Sequence, residues 1–494
     1  MSRNLKIIIF MLAGILLLVG ALAALTCEGC GGSGGELLSP SDIADISSSD
    51  LPGEQSGVHM HYNDAGELLA YGDDITSLRL ISDKGDYFIT RGEDGLLDIE
   101  SLSGLLLETD FLELSWYNAM SFGYSYSIHS EEELKLADFG LDPAQLTIEV
   151  EYTDGSTCRL FVGSSIASSP NIYYFRFEGR DEIFVNEFDA SFFQGDTYWL
   201  SDDIFGDDAD DVTIGAIKLT GSAFEQETVI RPHSASDRSD PYYGSKYVFT
   251  EPFLCRADDY LMTLLTDELT ELVAEEAVCA FPTKEELAAY GLDKPFAVIG
   301  HQRNGEWKKL HLARADATTM YAKADGVDCV FRLTSDVFAV LSMLTPDFLR
   351  APEVHVRYFD AVESIRIRTA DEDYLFRLER TPLETDETLF EYRAFCGDKQ
   401  LTLSYYKSLL QVFNSAAAIS YGGAADSDTP ALTVTIEYFD GLERSSETIR
   451  YYPAGTRRYM VEIDGDKGIV VGQMWVDKLI ESARLLSENQ PVTP

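Results

Sequence analysis

The chain reads as an α+β protein: tandem modules of antiparallel strands with a few short helices, after one N-terminal transmembrane helix. Three observations predict this. Residues 136–144, LADFGLDPA, return as LAAYGLDKP at 287–295. Each phrase leads into a strand-like run and a turn dipeptide, Asp154-Gly155 and Asn304-Gly305; the run 432–438 followed by Asp440-Gly441 repeats this part a third time. The turns lie a domain apart, too far for a solenoid unit. Finally, residues 7–25 form an apolar run without a charge, close to the roughly 20 residues that a bilayer core requires. The expected layout is a signal anchor over 1–26, a Gly/Ser-rich tether over 27–69, and modules over 70–200, 212–346 and 353–488.

Arg3 and Lys6 precede the apolar run, and Glu28 and Glu36 follow it. The positive-inside rule then keeps the first residues in the cytoplasm and places the remainder outside. Two other readings fit the same segment. Ala21-Leu22-Ala23 resembles a signal-peptidase site, and Cys27, followed by a glycine-rich stretch, could be the acylated residue of a lipoprotein. Residues 31–57, Gly-rich and then Ser/Asp-rich, are expected to form a flexible polar tether.

The whole chain carries a net charge of −46 at pH 7, which repels phosphate backbones and excludes nucleic acid as a partner. It also disfavours docking onto anionic headgroups. Hydrophobic residues at 45% and aromatics at 12% supply packed cores, so the charge does not imply disorder. Seven Cys lack a paired CxxC pattern, and Cys158 and Cys329, within strand-like runs, read as buried small hydrophobes.

Each module opens with strands at 75–81, 214–219 and 362–368. Helices are expected near 99–106, 258–274 and 402–416; Leu261, Leu264, Leu265 and Leu269 form a helical stripe. Thr283 and Glu286 make a capping box. Gly140 and Gly291 sit where a helix ends in a left-handed residue, with Leu141 and Leu292 folding back. Leu146, Ile148, Val150 and Tyr152 then alternate with polar residues. In the second copy, Gly300 and His301 are expected to weaken the corresponding strand. The turn dipeptides suit tight hairpins, and closing helices are expected at 189–193, 335–344 and 474–486.

These motifs resemble the bacterial proteins built from domain of unknown function 4340, DUF 4340. The resemblance rests on Phe139-Gly140-Leu141-Asp142-Pro143, Tyr290-Gly291-Leu292-Asp293-Lys294-Pro295 and a degenerate Tyr421-Gly422, with strand tyrosines at Tyr173, Tyr174, Tyr321 and Tyr459. It implies a single-pass protein of the bacterial cytoplasmic membrane with most of the chain extracytoplasmic, encoded near ABC transporters. It carries over no activity and no functional residue.

Candidate chemistry is sparse. Ser404 and Lys407 match S-x-x-K, in which the lysine takes the serine proton, but the companion motifs of that enzyme class are absent. Gly31-Gly32-Ser33-Gly34-Gly35 matches a nucleophile elbow by letter alone, with no strand before it. Asp202, Asp203, Asp207, Asp208, Asp210 and Asp211 are read as a solvated linker whose spacing does not fit a calcium loop. His59 and His61 are a weak metal pair. No catalytic residue, cofactor or metal site is assigned. The expected function is a membrane-anchored, non-enzymatic accessory or interaction protein of an ABC-transporter or envelope assembly. The alternatives are an envelope serine acyl-enzyme using Ser404 and Lys407, and a surface glycan- or calcium-binding protein.

Overall fold

The structure, a computed structural model, describes residues 58–62, 68–71, 74–130, 133–206, 212–383 and 386–494. The expected anchor, Cys27, the tether through residue 57 and Asp207–Asp211 lie outside these residues. Among the described residues no helix is long and apolar enough to cross a membrane. The described chain is mainly β, with antiparallel strands in three large sheets and few helices. Strands outweigh helices more than an α+β label implies, because the elements expected as helices near 99–106, 189–193 and 335–344 are single turns.

Two compact units divide the described residues: those up to Ile204 together with Val273–Phe281 and Asp328–Arg332, and the rest. In the first unit lie β1 (Val58–Tyr62), β2 (Leu68–Tyr71), β3 (Ile75–Ser82), β4 (Gly85–Arg91), β5 (Leu97–Ile99), β6 (Ser121–Gly123), β7 (Tyr126–Ser130), β8 (Leu146–Tyr152), β9 (Thr157–Ile166), β10 (Ser169–Phe177) and β11 (Ile183–Glu187). Their sheet runs β1-β7-β11-β10-β9-β8-β3-β4-β5, with β2 and β6 paired apart from it. The expected tether therefore ends before residue 69: Val58–Tyr62 and Leu68–Tyr71 are strands, as the alternation of Val58, Met60 and Tyr62 with His59 and His61 allows.

Next along the chain come β12 (Ile214–Thr220), β13 (Thr228–Pro232), β14 (Tyr247–Glu251), β15 (Cys255–Arg256), β16 (Glu276–Ala280), β17 (Ala297–Arg303), β18 (Glu306–Arg314), β19 (Thr319–Ala324) and β20 (Cys329–Thr334), those within the second unit forming the second sheet. Within the second unit the order is β15-β14-β13-β12-β17-β18-β19; within the first, β16 pairs with β20, Glu276 opposite Arg332. The third sheet holds β21 (Val362–Arg368), β22 (Asp373–Leu383), β23 (Asp386–Cys396), β24 (Lys399–Leu401), β25 (Ala418–Tyr421), β26 (Leu432–Tyr438), β27 (Ser446–Pro453), β28 (Arg458–Ile463) and β29 (Asp466–Gly472), in the order β24-β23-β22-β21-β26-β27-β28-β29-β25. One arrangement recurs. Two meanders run outward from a central antiparallel pair, which is β3–β8, β12–β17 and β21–β26 in turn.

The repeated phrase has a structural task. Gly140 and Gly291 take φ of 66° and 73°. The amides of Leu141 and Leu292 then return to the carbonyls of Leu136 and Leu287 at 2.9 and 2.8 Å, the closing bond of a glycine-capped helix end. Phe139 and Leu141 enter a buried cluster with Tyr126, Ile128, Tyr174 and Val185. In β8 the expected face, Leu146, Ile148, Val150 and Tyr152, is buried, and the capping box at Thr283 and Glu286 is formed.

Several expectations need correction. The helix read at 99–106 is instead the end of β5, a 3₁₀ turn Glu100–Leu102 and Gly104 at φ 89°, a backbone that a right-handed helix cannot hold. The helix lies at Thr109–Asn118. Gly300 and His301 do not break β17, where His301 is fully buried. Asn304-Gly305 is a tight turn with both φ values positive, whereas Asp440-Gly441 lies in a longer connection, Glu437 being opposite Ser446. Tyr421 ends β25, so the third copy has no counterpart of the phrase there. The closing elements are a 3₁₀ turn Ala190–Phe193, a short helix Ala339–Ser342 and a long helix Gln473–Ser487.

Candidate functional site

In the first unit the helix Thr109–Asn118 ends near the point where β11 gives way to the turn Ala190–Phe193. Asp189 caps that turn: its carboxylate accepts from the Ser191 amide at 2.8 Å and from Asn118 Nδ2 at 2.9 Å. A buried Ser115–Ser191 hydroxyl bond of 2.8 Å fastens the same helix and turn beneath them. Asn186 donates to the Gly123 carbonyl and accepts from Ser125, both at 3.0 Å. These bonds frame a cleft of about 380 Å³, lined by Asn118, Ser121, Asn171, Asn186, Glu187 and Asp189 beside Phe122, Phe188 and Phe192. The phenyl rings are buried and continue into a ring cluster, with Phe188 5.2 Å from Phe175. The side chains of Asn171 and Glu187 are exposed and make no hydrogen bond to other described residues. The lining holds amides, hydroxyl and carboxylates, a set that binds through hydrogen bonds.

The second unit contains a polar constellation of the opposite kind. Arg357 and Glu447 are both fully buried and form a two-pronged ion pair, Nη2 to Oε2 at 2.7 Å and Nε to Oε1. Tyr438 donates its hydroxyl to Glu447 at 2.8 Å. Burial alone would lower the Arg357 pKa, but the Glu447 carboxylate more than reverses this, so the guanidinium stays charged. Beside it, His355 Nε2 lies 2.8 Å from the Tyr451 hydroxyl, and its ring stacks on Phe413 at 4.0 Å. Burial, reinforced by the Arg357 charge, pushes the His355 pKa well below its ordinary 6.5, so the ring is neutral.

This constellation is also a junction. Arg357 Nη1 donates to the Pro241 carbonyl at 3.1 Å, in the connection between β13 and β14. From that connection Asp237 and Ser239 accept the amides of Glu443 and Arg444, each at 3.0 Å, and Arg238 pairs with Asp360. Further along, the Arg350 guanidinium lies over Phe249, Phe253 and Tyr421 at 5.0, 4.5 and 4.7 Å. Phe253 presses onto Gly468, where a Cβ would fall within its ring.

The residues singled out in the sequence do not assemble into a reaction centre. Ser404 is exposed on the first turn of the helix Leu403–Asn414, and the Lys407 ammonium lies 4.5 Å over the Phe359 ring. Among the described residues no hydrogen bond joins this pair. Asp202 uses its carbonyl to accept the Ala274 amide at 2.7 Å, and Asp203 bridges to Val273. His59 and His61 fall in β1, opposite His129 and Ser127. Cys158, Cys255 and Cys329 are buried and form no disulfide among the described residues, and burial is what the sequence led one to expect for Cys158 and Cys329.

Sequence reasoning missed both constellations. Glu447 had a signal, since it shares a strand face with Ile449 and Tyr451, where a carboxylate must find a buried partner. The cleft had none, because Asn118 lies on a helix far in sequence from the β10–β11 pair that carries Asn171 and Asn186. Compared with protein-family models, curated proteins and solved structures, the chain matches none.

Proposed function

We propose that the chain is a non-enzymatic interaction protein, held at a membrane by residues 1–26, whose modules present binding surface outside the cytoplasm to an envelope or transporter assembly. The observation that carries this reading is the placement of the buried charge. Arg357 and Glu447 are sealed from solvent and bonded to the preceding module through Pro241, so this pair joins two sheets and does not act on a substrate. A buried pair of this kind adds uncertain stability but constrains how its neighbours meet. The recurrent strand order supports the reading of three tandem modules, and the apolar run 7–25 with its basic flank supports the anchor. The DUF 4340 resemblance favours a transporter as the neighbouring assembly.

The test is isolation of the tagged full-length chain from its native membrane in mild detergent, with mass spectrometry of the proteins recovered. Stoichiometric permease and ATPase subunits are expected. Recovery of the chain alone contradicts the accessory role. A β-lactam or fluorophosphonate label lost in Ser404→Ala would favour the acyl-enzyme instead.

A further inference from the structure

We infer that the cleft at the end of the first sheet binds a neutral, polyhydroxylated ligand: a saccharide chain. The inference rests on the reading of this chain as an interaction protein outside the cytoplasm, and it supplies that reading with a ligand class.

Hydrogen-bonding capacity argues first. A carboxamide offers two N–H donors and a carbonyl acceptor, and a carboxylate offers about four lone-pair sites. Asn118 uses one donor on Asp189, and Asn186 uses one donor and one acceptor. Asn171 and Glu187, neighbours across the start of β10 and the end of β11, use none of their side-chain capacity on described residues. Such a mixed set of donors and acceptors suits vicinal hydroxyls, each of which both donates and accepts. It does not suit an apolar ligand, which would desolvate these groups without replacing their bonds.

Charge narrows the class. The lining carries two carboxylates and no Lys, Arg or His, in a chain of net charge −46. Phosphorylated, sulfated or uronic ligands would meet repulsion. Rigidity favours binding as well. Asn118 and Asp189 hold one another, Asn186 is fastened to Gly123, and buried Phe122, Phe188 and Phe192 support them from below. The ordering cost of association then falls on Asn171 and Glu187, because Asn118, Asn186 and Asp189 are already held. At about 380 Å³ the cleft falls within the range of small-molecule sites and, being open, would admit a unit within a longer chain.

The experiment titrates the full-length chain in mild detergent with cellohexaose, chitohexaose and maltohexaose by calorimetry. It uses the wild type, the double variant Asn171→Ala with Glu187→Ala, and Arg366→Ala in the third sheet as a control. At least one saccharide should bind, with ~tenfold or greater loss of affinity in the double variant and none in Arg366→Ala. Both substituted residues are exposed, so the melting curve should not move; the milder Glu187→Gln should also weaken binding. No binding of any saccharide up to about 10 mM, or binding that survives in the double variant, overturns the inference. Unchanged recovery of membrane partners by the double variant would show that its failure leaves the interaction role standing.

Discussion

Where the first sheet ends at Glu187, the chain makes a 3₁₀ turn of 4 residues; where the third ends at Gly472, it makes a helix of 15 residues. The long helix buries Val476, Leu479, Ala483 and Leu486, and Trp475 donates to the Val412 carbonyl at 2.9 Å. The helix Leu403–Asn414 is covered as a result, with Tyr406, Leu409, Leu410 and Phe413 inside. In the first unit the helix Thr109–Asn118 meets the short turn through Ser115 and Ser191, and Phe111 stacks on Tyr198 at 4.8 Å, with no long helix laid over it among the described residues. Phe111, Leu114 and Tyr117 are 41, 47 and 70% exposed, and the cleft stays open. The difference teaches where polar groups hold the fold together and where they are available. Arg357, Glu447 and His355 are buried with partners from other elements, whereas Asn171 and Glu187 face solvent.

The largest effect should come from breaking the buried pair. Arg357→Ala leaves Glu447 uncompensated and should cost about 3–5 kcal/mol in chemical denaturation of the second unit. The double substitution Arg357→Met with Glu447→Leu should recover most of that loss. If both changes prove equally mild, the pair does not hold the junction. Next, Gly468→Ala forces a methyl group into the Phe253 ring and should cost about 1–3 kcal/mol through overpacking, measured as a fall in the denaturation midpoint.

The third effect depends on pH. The His355 pKa lies well below 6.5 in the folded chain, so the unfolded chain takes up this proton first. The contribution is fully present above pH 6.5. It is lost as pH falls below that value, at up to ~1.4 kcal/mol per pH unit, until the folded pKa is reached. Denaturation series between about pH 7.5 and 5.5 should slope less steeply for His355→Gln than for the wild type. Equal slopes would mean that this ring does not titrate against folding. The smallest effect belongs to the exposed pairs Arg79–Asp86 and Arg366–Asp373, at 2.7 and 2.5 Å. Solvent screens them, and Arg79→Ala should leave the midpoint unmoved.

Much of the local structure was legible in the sequence. The alternation of β8, the glycine-capped phrase, the capping box and the helices near 258 and 402 follow from short-range rules. What escaped depended on contacts distant in sequence. Leu102, Leu105 and Leu106 mimic a helical stripe, but Gly104 turns the backbone the other way. His301 sits within β17 with its ring edge-on to Phe205 at 5.4 Å, a contact between residues far apart in sequence that spacing does not reveal. The cleft brings together the end of a helix and the ends of β10 and β11, and the Pro241–Arg357 bond spans 116 residues. No window of sequence reads such a distance.

The account depends most directly on the second and third sheets being held as one body by Arg357. Native-state hydrogen exchange of the full-length chain measures this. The amides of β13 and β14 should share their slowest opening with those of β21, β26 and β27, and Arg357→Ala should split the two groups. Exchange that already separates the two sheets in the wild type, or that stays joined in Arg357→Ala, would contradict the account.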